Sequence, residues 1–399
     1  MLSHQLAVHL YIGWNGTEEF IMKKALVSLL VVCSIFCLVA CSKKADTTST
    51  TATTTTTTTT SAPAATPAAE VKTEAPATKQ TQTYKFGMGI VFDDSQSNET
   101  TAAYDAIVAV VVTDANGKIV ACQIDDAQNK MSTTDVDPDK QFLSKYELQY
   151  DYNMTKYAPD AKFEWFQQVD AFEDYVVGKT ADEVAAMQTR VRGADEPHPG
   201  YVVTADETLF ASCSIQITEF VEAVVKACND AKGKTFSTAD EFTVGVAINS
   251  TADESTAATE DTDGSIKMYA EFAGAVVGKD GKILATLTDA IQPQFTVDVD
   301  GEITGKTWRG TKKELEYDYN MTKYAPDAKF EWFQQAAAFE DYCAGKTAAE
   351  VASLPTRVRG AEEAHPGYVV TTDETLFASC SIQITGMMAV IAKAANNAN

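Results

Sequence analysis

YDYNMTKYAPDAKFEWFQQ, residues Tyr150 to Gln168, recurs letter for letter at Tyr317 to Gln335, and DETLFASCSIQIT, Asp206 to Thr218, recurs at Asp373 to Thr385. Both copies are displaced by 167 positions (150 to 317), so the 399-residue chain is a tandem duplication of a whole folding unit, with the copies at 83–234 and 238–399. Solenoid repeats have periods of roughly 20–50 residues, far shorter than this one. Each copy is long enough to bury a normal core and is expected to be self-contained. The second copy then serves as an internal control, and a feature present in one copy alone loses weight.

Outward from these identical stretches, each copy opens with strands. Val108 to Thr113 and Ile119 to Ile124 flank Asp114-Ala115-Asn116-Gly117-Lys118, and Ala273 to Val277 and Ile283 to Leu287 flank Gly278-Lys279-Asp280-Gly281-Lys282. Asn-Gly and Asp-Gly supply the positive φ that a tight hairpin needs. An earlier strand is expected at Lys85 to Phe92 and at Glu241 to Ile248. In Asp160 to Val177 the apolar residues Phe163, Phe166, Val169, Phe172 and Val176 recur three or four apart, which predicts a helix stopped by Gly178. Thr180 N-caps a second helix, with Glu183 at the capping-box position. An irregular loop at Gly193 to Gly200, a β-like segment ending near Ile217 and a helix over Thr218 to Ala231 complete the copy. The order β, β, β, α, α, β, α predicts an α+β unit, an antiparallel sheet with packed helices, present twice.

The ends carry different information. Lys23-Lys24, the apolar run Ala25 to Phe36 and Leu38-Val39-Ala40-Cys41 follow one another as the basic, apolar and cleavage regions of an export signal. This stretch resembles a bacterial lipoprotein signal peptide. The resemblance implies cleavage before Cys41 and diacylglycerol on its thiol, so that residues 1–40 are an upstream extension plus signal and the mature protein is held by lipid at the extracytoplasmic face of the cell membrane. Residues 1–21 fit no part of the signal, and translation is expected to begin at Met22. From 41 to 82 the chain is Thr, Ala, Pro and Lys, with eight consecutive Thr from Thr53 to Thr60, too poor in apolar surface to order itself; it is expected to act as a tether.

The formal charge is −24, from 56 acidic and 32 basic residues, which repels phosphate backbones and argues against nucleic acid as a partner. Beyond Cys41 the cysteines are Cys122, Cys213, Cys228, Cys343 and Cys380, an odd number with no close spacing, which argues against a disulfide framework or a metal cluster.

The segment Leu209-Phe210-Ala211-Ser212-Cys213-Ser214 leads into the last helix, whose Val221-Glu222-Ala223-Val224-Val225 is rich in Ala and Val. Small hydroxyl residues before a helix suit an anion such as phosphate. With the preceding Asn-Gly or Asp-Gly hairpin, this part of the sequence resembles the extracytoplasmic FMN-binding domain family, in which a Ser-Gly-Ala-Thr motif receives FMN through a phosphoester made by a flavin transferase. The resemblance implies that Ser214 and Ser381 stand for the acceptor Thr, with Ser212 and Ser379 beside them, although Gly has become Ser and Ala has become Cys. It further implies covalent FMN and an envelope redox partner, with the domain an electron carrier and no independent catalytic activity expected. The alternative is that Ser-Cys-Ser lines a strand and caps a helix.

Other candidates repeat as well. Arg190 and Arg192 alternate in Thr189-Arg190-Val191-Arg192-Gly193, as do Arg357 and Arg359, and a guanidinium pair can clamp a carboxylate or phosphate or else pair with nearby Asp195 and Glu196. His198 and His365, one per copy, lack partners at metal-ligand spacing. Trp165 and Trp332 are the aromatic residues least needed by the apolar stripe and are expected on an exposed stacking surface. Asp125 with Gln128 recurs as Asp289 with Gln292, either a polar contact to a ligand or a turn ending the strand. No hydrolase triad, Gly-rich nucleotide loop or zinc spacing is present. The two functional expectations are a flavin-carrying envelope lipoprotein and a cofactor-free lipoprotein binding a solute, peptide or cell-wall ligand.

Overall fold

A computed structural model describes residues 79–158, 160–325 and 328–398. The export signal, Cys41 and nearly all of the tether lie outside the described residues. The fold is α+β with antiparallel sheets.

In the first copy the strands are β1 (Gln82–Asp93), β2 (Thr101–Thr113) and β3 (Ile119–Ser132). Short helices α1 (Lys145–Leu148) and α2 (Met154–Tyr157) follow, then α3 (Trp165–Val176) and α4 (Ala181–Ala185). A small ladder, β4 (Thr189–Val191) with β5 (Val202–Thr204), precedes α5 (Glu207–Ser212) and α6 (Thr218–Cys228). The next strand, β6 (Lys234–Thr238), is made by the junction between the copies and pairs with β1, giving the order β3-β2-β1-β6.

The second copy contributes β7 (Phe242–Thr251), β8 (Gly264–Lys267), β9 (Tyr269–Gly278) and β10 (Ile283–Ile291), with sheet order β10-β9-β7. An added three-stranded sheet, ordered β12-β11-β8, is formed by β11 (Gln294–Val297) and β12 (Ile303–Thr307) with β8. Then come α7 (Lys312–Leu315), α8 (Met321–Tyr324), α9 (Trp332–Cys343), α10 (Ala348–Ala352), β13 (Thr356–Val358), β14 (Val369–Thr371), α11 (Glu374–Ser379) and α12 (Thr385–Asn397).

Burial alternates along the central strands, and both faces are covered. In β2 the even positions Val108, Val110 and Val112 enter an inner core together with Phe272 and Val276 of β9, while the odd positions Ile107, Ala109 and Val111 pack under α3 and α6. Successive strand residues face opposite sides, so an unbroken apolar run is what a doubly covered strand requires. The layers are therefore helices, sheet, sheet, helices. The inner core belongs to both copies at once rather than to two self-contained units, because helices cover only one face of each sheet. At Gly274 an added Cβ would lie 2.5 Å from Val110 Cγ1, so the side chains of Val110 and Phe86 from the first sheet pack directly on the glycine of the second.

The contact between copies is reciprocal. Lys226 pairs with Glu314 at 2.7 Å, and the corresponding Lys393 pairs with Glu147 at 2.7 Å. Within each copy the same lysine is held in place, Lys226 Nζ donating to the Ile90 carbonyl and Lys393 Nζ to that of Ile248, both at 2.6 Å. Contacts that return with the partners exchanged are the signature of a two-fold interface.

Three sequence expectations need correction. The segment before the last helix is not a strand: Asp206 caps α5, its Oδ1 accepting from the amides of Thr208 and Leu209, so Ser212 ends a helical turn. The helix expected from Asp160 begins at Trp165, because Glu164 sits at its N-cap, with Gln167 Oε1 accepting from the Glu164 amide and the Glu164 carboxylate taking the Met154 amide. Asp125 does not end a strand; β3 runs on to Ser132. The α4 capping box of Thr180 and Glu183 forms as expected.

Candidate ligand-binding site

In the first copy the corresponding position holds a buried ion pair. Lys145, first residue of α1, places its ammonium 2.6 Å from Asp126 and 3.5 Å from Asp105, among the rings of Tyr152 and Trp165. Burial pushes the Asp126 carboxyl up, while Lys145 beside it pulls the other way and is itself raised. The contact geometry holds this pair charged. A buried pair of this kind is costly to break from one side.

The second copy keeps the lysine and loses its partners. Across β2 and β3, Asp126 pairs with Ile107; at the same ladder position of β9 and β10, Ala290 pairs with Glu271. The strand carboxylate opposite the lysine has thus been exchanged for alanine, and a new one stands on the neighbouring strand. Space for it comes from Gly386, which corresponds to Glu219: a Cβ there would lie 1.9 Å from Glu271 Oε2. Lys312 is left 7% exposed, with its Nζ 3.3 Å from the Tyr269 hydroxyl, which in turn donates to Glu271 Oε1 at 3.3 Å. Among the described residues no carboxylate lies within ion-pairing distance of it. The rings of Tyr269, Tyr319 and Trp332 surround the ammonium at 4.9, 5.1 and 5.1 Å. Burial pushes Lys312 down to about 8, despite the upward pull of Glu271, Asp289 and Glu254, and burial pushes Glu271 up.

These groups form one wall of a cavity of about 730 Å³. Its opposite side is a second-copy addition: between Asp289 and Lys312 the chain is three residues longer than between Asp125 and Lys145, and the β11–β12 hairpin made there delivers Trp308 and Arg309. Phe92 stacks on Trp308 at 4.0 Å between centroids and holds the indole in place. Gln292, Gln294 and Gln383 add amide groups to the lining. The volume falls in the range of about 300–1,000 Å³ usual for small-molecule sites, which combine aromatic walls with a few placed polar groups.

The sequence-derived candidates fall into place around this cavity unequally. Trp165 and Trp332 are 3% and 4% exposed, so the expected exposed stacking surface is corrected: Trp165 packs edge-on to Phe220, and Trp332 lies in the same core cluster as the counterpart Met387 while also lining the cavity. The two arginine motifs and the serine motif, distant in sequence, are brought together. Arg192 Nη2 donates to the Ser214 carbonyl at 2.6 Å and Nη1 to that of Pro197, and Arg359 Nη2 donates to the Ser381 carbonyl at 2.7 Å. Arg190 and Arg357 pair with Glu196 and Glu363 at 2.8 Å. These guanidinium groups stiffen the loop that carries His198 and His365, whose rings stack on Tyr201 and Tyr368.

Ser214 donates its amide to Gln168 Oε1 at 2.8 Å and its hydroxyl to the same oxygen at 3.3 Å; Ser381 does the same with Gln335 at 2.8 and 3.4 Å. Ser212 and Ser379 hydroxyls donate back to Leu209 and Leu376 carbonyls. The amide and carbonyl of Ser214 and Ser381 are thus engaged within the chain, and their hydroxyls make only long contacts. Asp125 and Asp289 are buried anchors for α1 and α7, accepting from the amides of Tyr146 and Lys313. Gln292 accepts from the Tyr319 hydroxyl at the cavity rim. Comparison with protein-family models, curated proteins and solved structures gave no match.

Lys312 was absent from the sequence-derived candidates because they favoured identity between copies. The signal lay in difference: Asp126 against Ala290, Glu219 against Gly386.

Proposed function

We propose that the protein is a membrane-tethered extracytoplasmic lipoprotein whose second copy binds a small, ring-bearing polar solute. The observation that carries this is the cavity beside Lys312, opened where the first copy keeps an ion pair. The aromatic residues Trp308, Tyr319 and Tyr368 suit stacking against a ring, and the amides of Gln292, Gln294 and Gln383 suit hydroxyl or carbonyl groups. Tethering rests on the run from Lys23 to Cys41. No nucleic acid is expected as a partner of so acidic a chain.

The test uses the mature chain with Cys41→Ser, which is expected to leave the membrane fraction. A panel of neutral sugars and small aromatic solutes is titrated against tryptophan fluorescence. A saturable response that weakens by about fivefold in Trp308→Ala is expected, since loss of one stacking ring is worth on the order of 1 kcal/mol. No saturable response from any member would sink the binding reading. The flavin reading rests on the resemblance of the Ser-Cys-Ser segments alone and is weaker. Intact mass after export alongside a flavin transferase decides it: a gain of FMN less water, lost in Ser214→Ala/Ser381→Ala, would reinstate it.

A further inference from the structure

The cavity wall contains a lysine whose environment differs from that of two lysines near it and of its counterpart in the first copy. Lys267 pairs with Glu254 at 3.1 Å, Lys313 with Glu340 at 2.6 Å, and the counterpart Lys145 with Asp126 at 2.6 Å. Lys312 alone of these four is buried at a cavity wall with rings and a tyrosine hydroxyl in place of a carboxylate partner. We infer that Lys312 is a carbonyl-reactive amine, which captures an aldehyde group of the cavity's ligand as a reversible imine. This deepens the binding reading above and rests on it.

The chemistry balances without any oxidant or reductant. The nitrogen lone pair of the neutral amine adds to the carbonyl carbon, giving a carbinolamine; a C=N bond then forms as the carbonyl oxygen leaves as water, carrying off two protons, and hydrolysis reverses the sequence. A lysine in water is unreactive because it is protonated, and a desolvated lysine in an apolar pocket is activated because burial disfavours the ammonium. Here burial sets Lys312 to about 8. The groups facing it are Tyr269 and Glu271 from β9, Asp289 from β10, Glu254 from the loop before β8, and Tyr319 from the turn after α7. All the carboxylates favour the ammonium, and burial still prevails. Tyr269 and Glu271 form a hydrogen-bonded relay that can deliver the proton needed by the departing hydroxyl and take it back on hydrolysis. The same arrangement disfavours use of Lys312 as an anion clamp, because Glu271, Asp289 and Glu254 act on it from beyond ion-pairing distance and would repel an anion.

The test uses the full mature chain with Cys41→Ser, benzaldehyde as the probe and cyanoborohydride to trap the imine, read by peptide mapping of the benzylated lysines. At pH 7 trapping at Lys312 is expected to be at least about tenfold faster than at Lys145 or at exposed lysines, whose ordinary value is about 10.4. Its rate should level off above a midpoint near 8. Trapping at Lys312 no faster than at exposed lysines, or a rate still climbing towards pH 10, would overturn the inference. Benzyl alcohol, which has the ring but no carbonyl, is titrated in parallel by tryptophan fluorescence against the unmodified chain and Lys312→Met. Saturable benzyl alcohol binding without a Lys312 adduct removes the imine and leaves the cavity reading standing. No saturable response to either probe, together with none from the panel of sugars and aromatic solutes, removes the cavity reading, and the imine with it.

Discussion

Two aspartates carry a pH signature that belongs to single residues. Burial pushes Asp125 up to about 7 and Asp289 up to about 6, while in the unfolded chain each titrates near 3.9. Between these limits the folded form holds protons that the unfolded form has released, so stability is greatest below about pH 4 for these groups and falls as pH rises through 6 to 7. The urea midpoint is therefore expected to drop between pH 5 and pH 7.5. Asp125→Asn/Asp289→Asn, which keeps an acceptor for the amides of Tyr146 and Lys313, should flatten that drop. An unchanged drop in the double variant would assign it instead to the other carboxyls that burial raises, among them Asp126, Glu173 and Glu271, or to charge repulsion in this acidic chain.

At the scale of elements, the divergence between copies is a coordinated exchange: a carboxylate leaves the start of the last helix at Gly386 and appears on β9 at Glu271. Reversing it, with Glu271→Ile and Gly386→Glu together, is expected to rebuild the packing of Ile107 and Glu219 and to weaken ligand binding by about tenfold or more in the fluorescence titration. Unaltered affinity would show that the exchange is incidental to the cavity. The elements themselves were unequally legible in the sequence. Strands buried on both faces, and helices with a periodic stripe and a capping box, announce themselves through patterns spanning many residues. The four-residue strands Gly264–Lys267 and Gln294–Val297 are too short for alternation to be distinctive. The helix Glu207–Ser212 was hidden because its β-branched and small neighbours imitate a strand while one side-chain cap at Asp206 decides the outcome. The cavity was illegible for another reason: it depends on which residues face one another across a sheet and a helix more than 100 positions apart in the chain.

For the whole molecule, the reciprocal pairs Lys226–Glu314 and Lys393–Glu147 matter less for their energy, since half-exposed ion pairs contribute little, than for what they say about complementarity. One copy presents a surface that fits itself. Residues 79–238 expressed alone, ending after β6, are expected to form a homodimer whose inner core matches the one shared here, detected by light scattering and a concentration-dependent melting temperature. A stable, folded monomer would contradict that. The proposed amino-terminal anchor would act on this shared core through its first strand. Strand β1 begins at Gln82, directly after the tether segment, and is bonded on both flanks, to β2 from Lys85 to Asp93 and to β6 from Gln82 to Phe86. A pull along the strand from that end loads both ladders in shear, so many hydrogen bonds must fail together instead of peeling one at a time. On the proposed lipid tethering, drag on the globular part would be borne by β1, an interior strand of its sheet and not an edge.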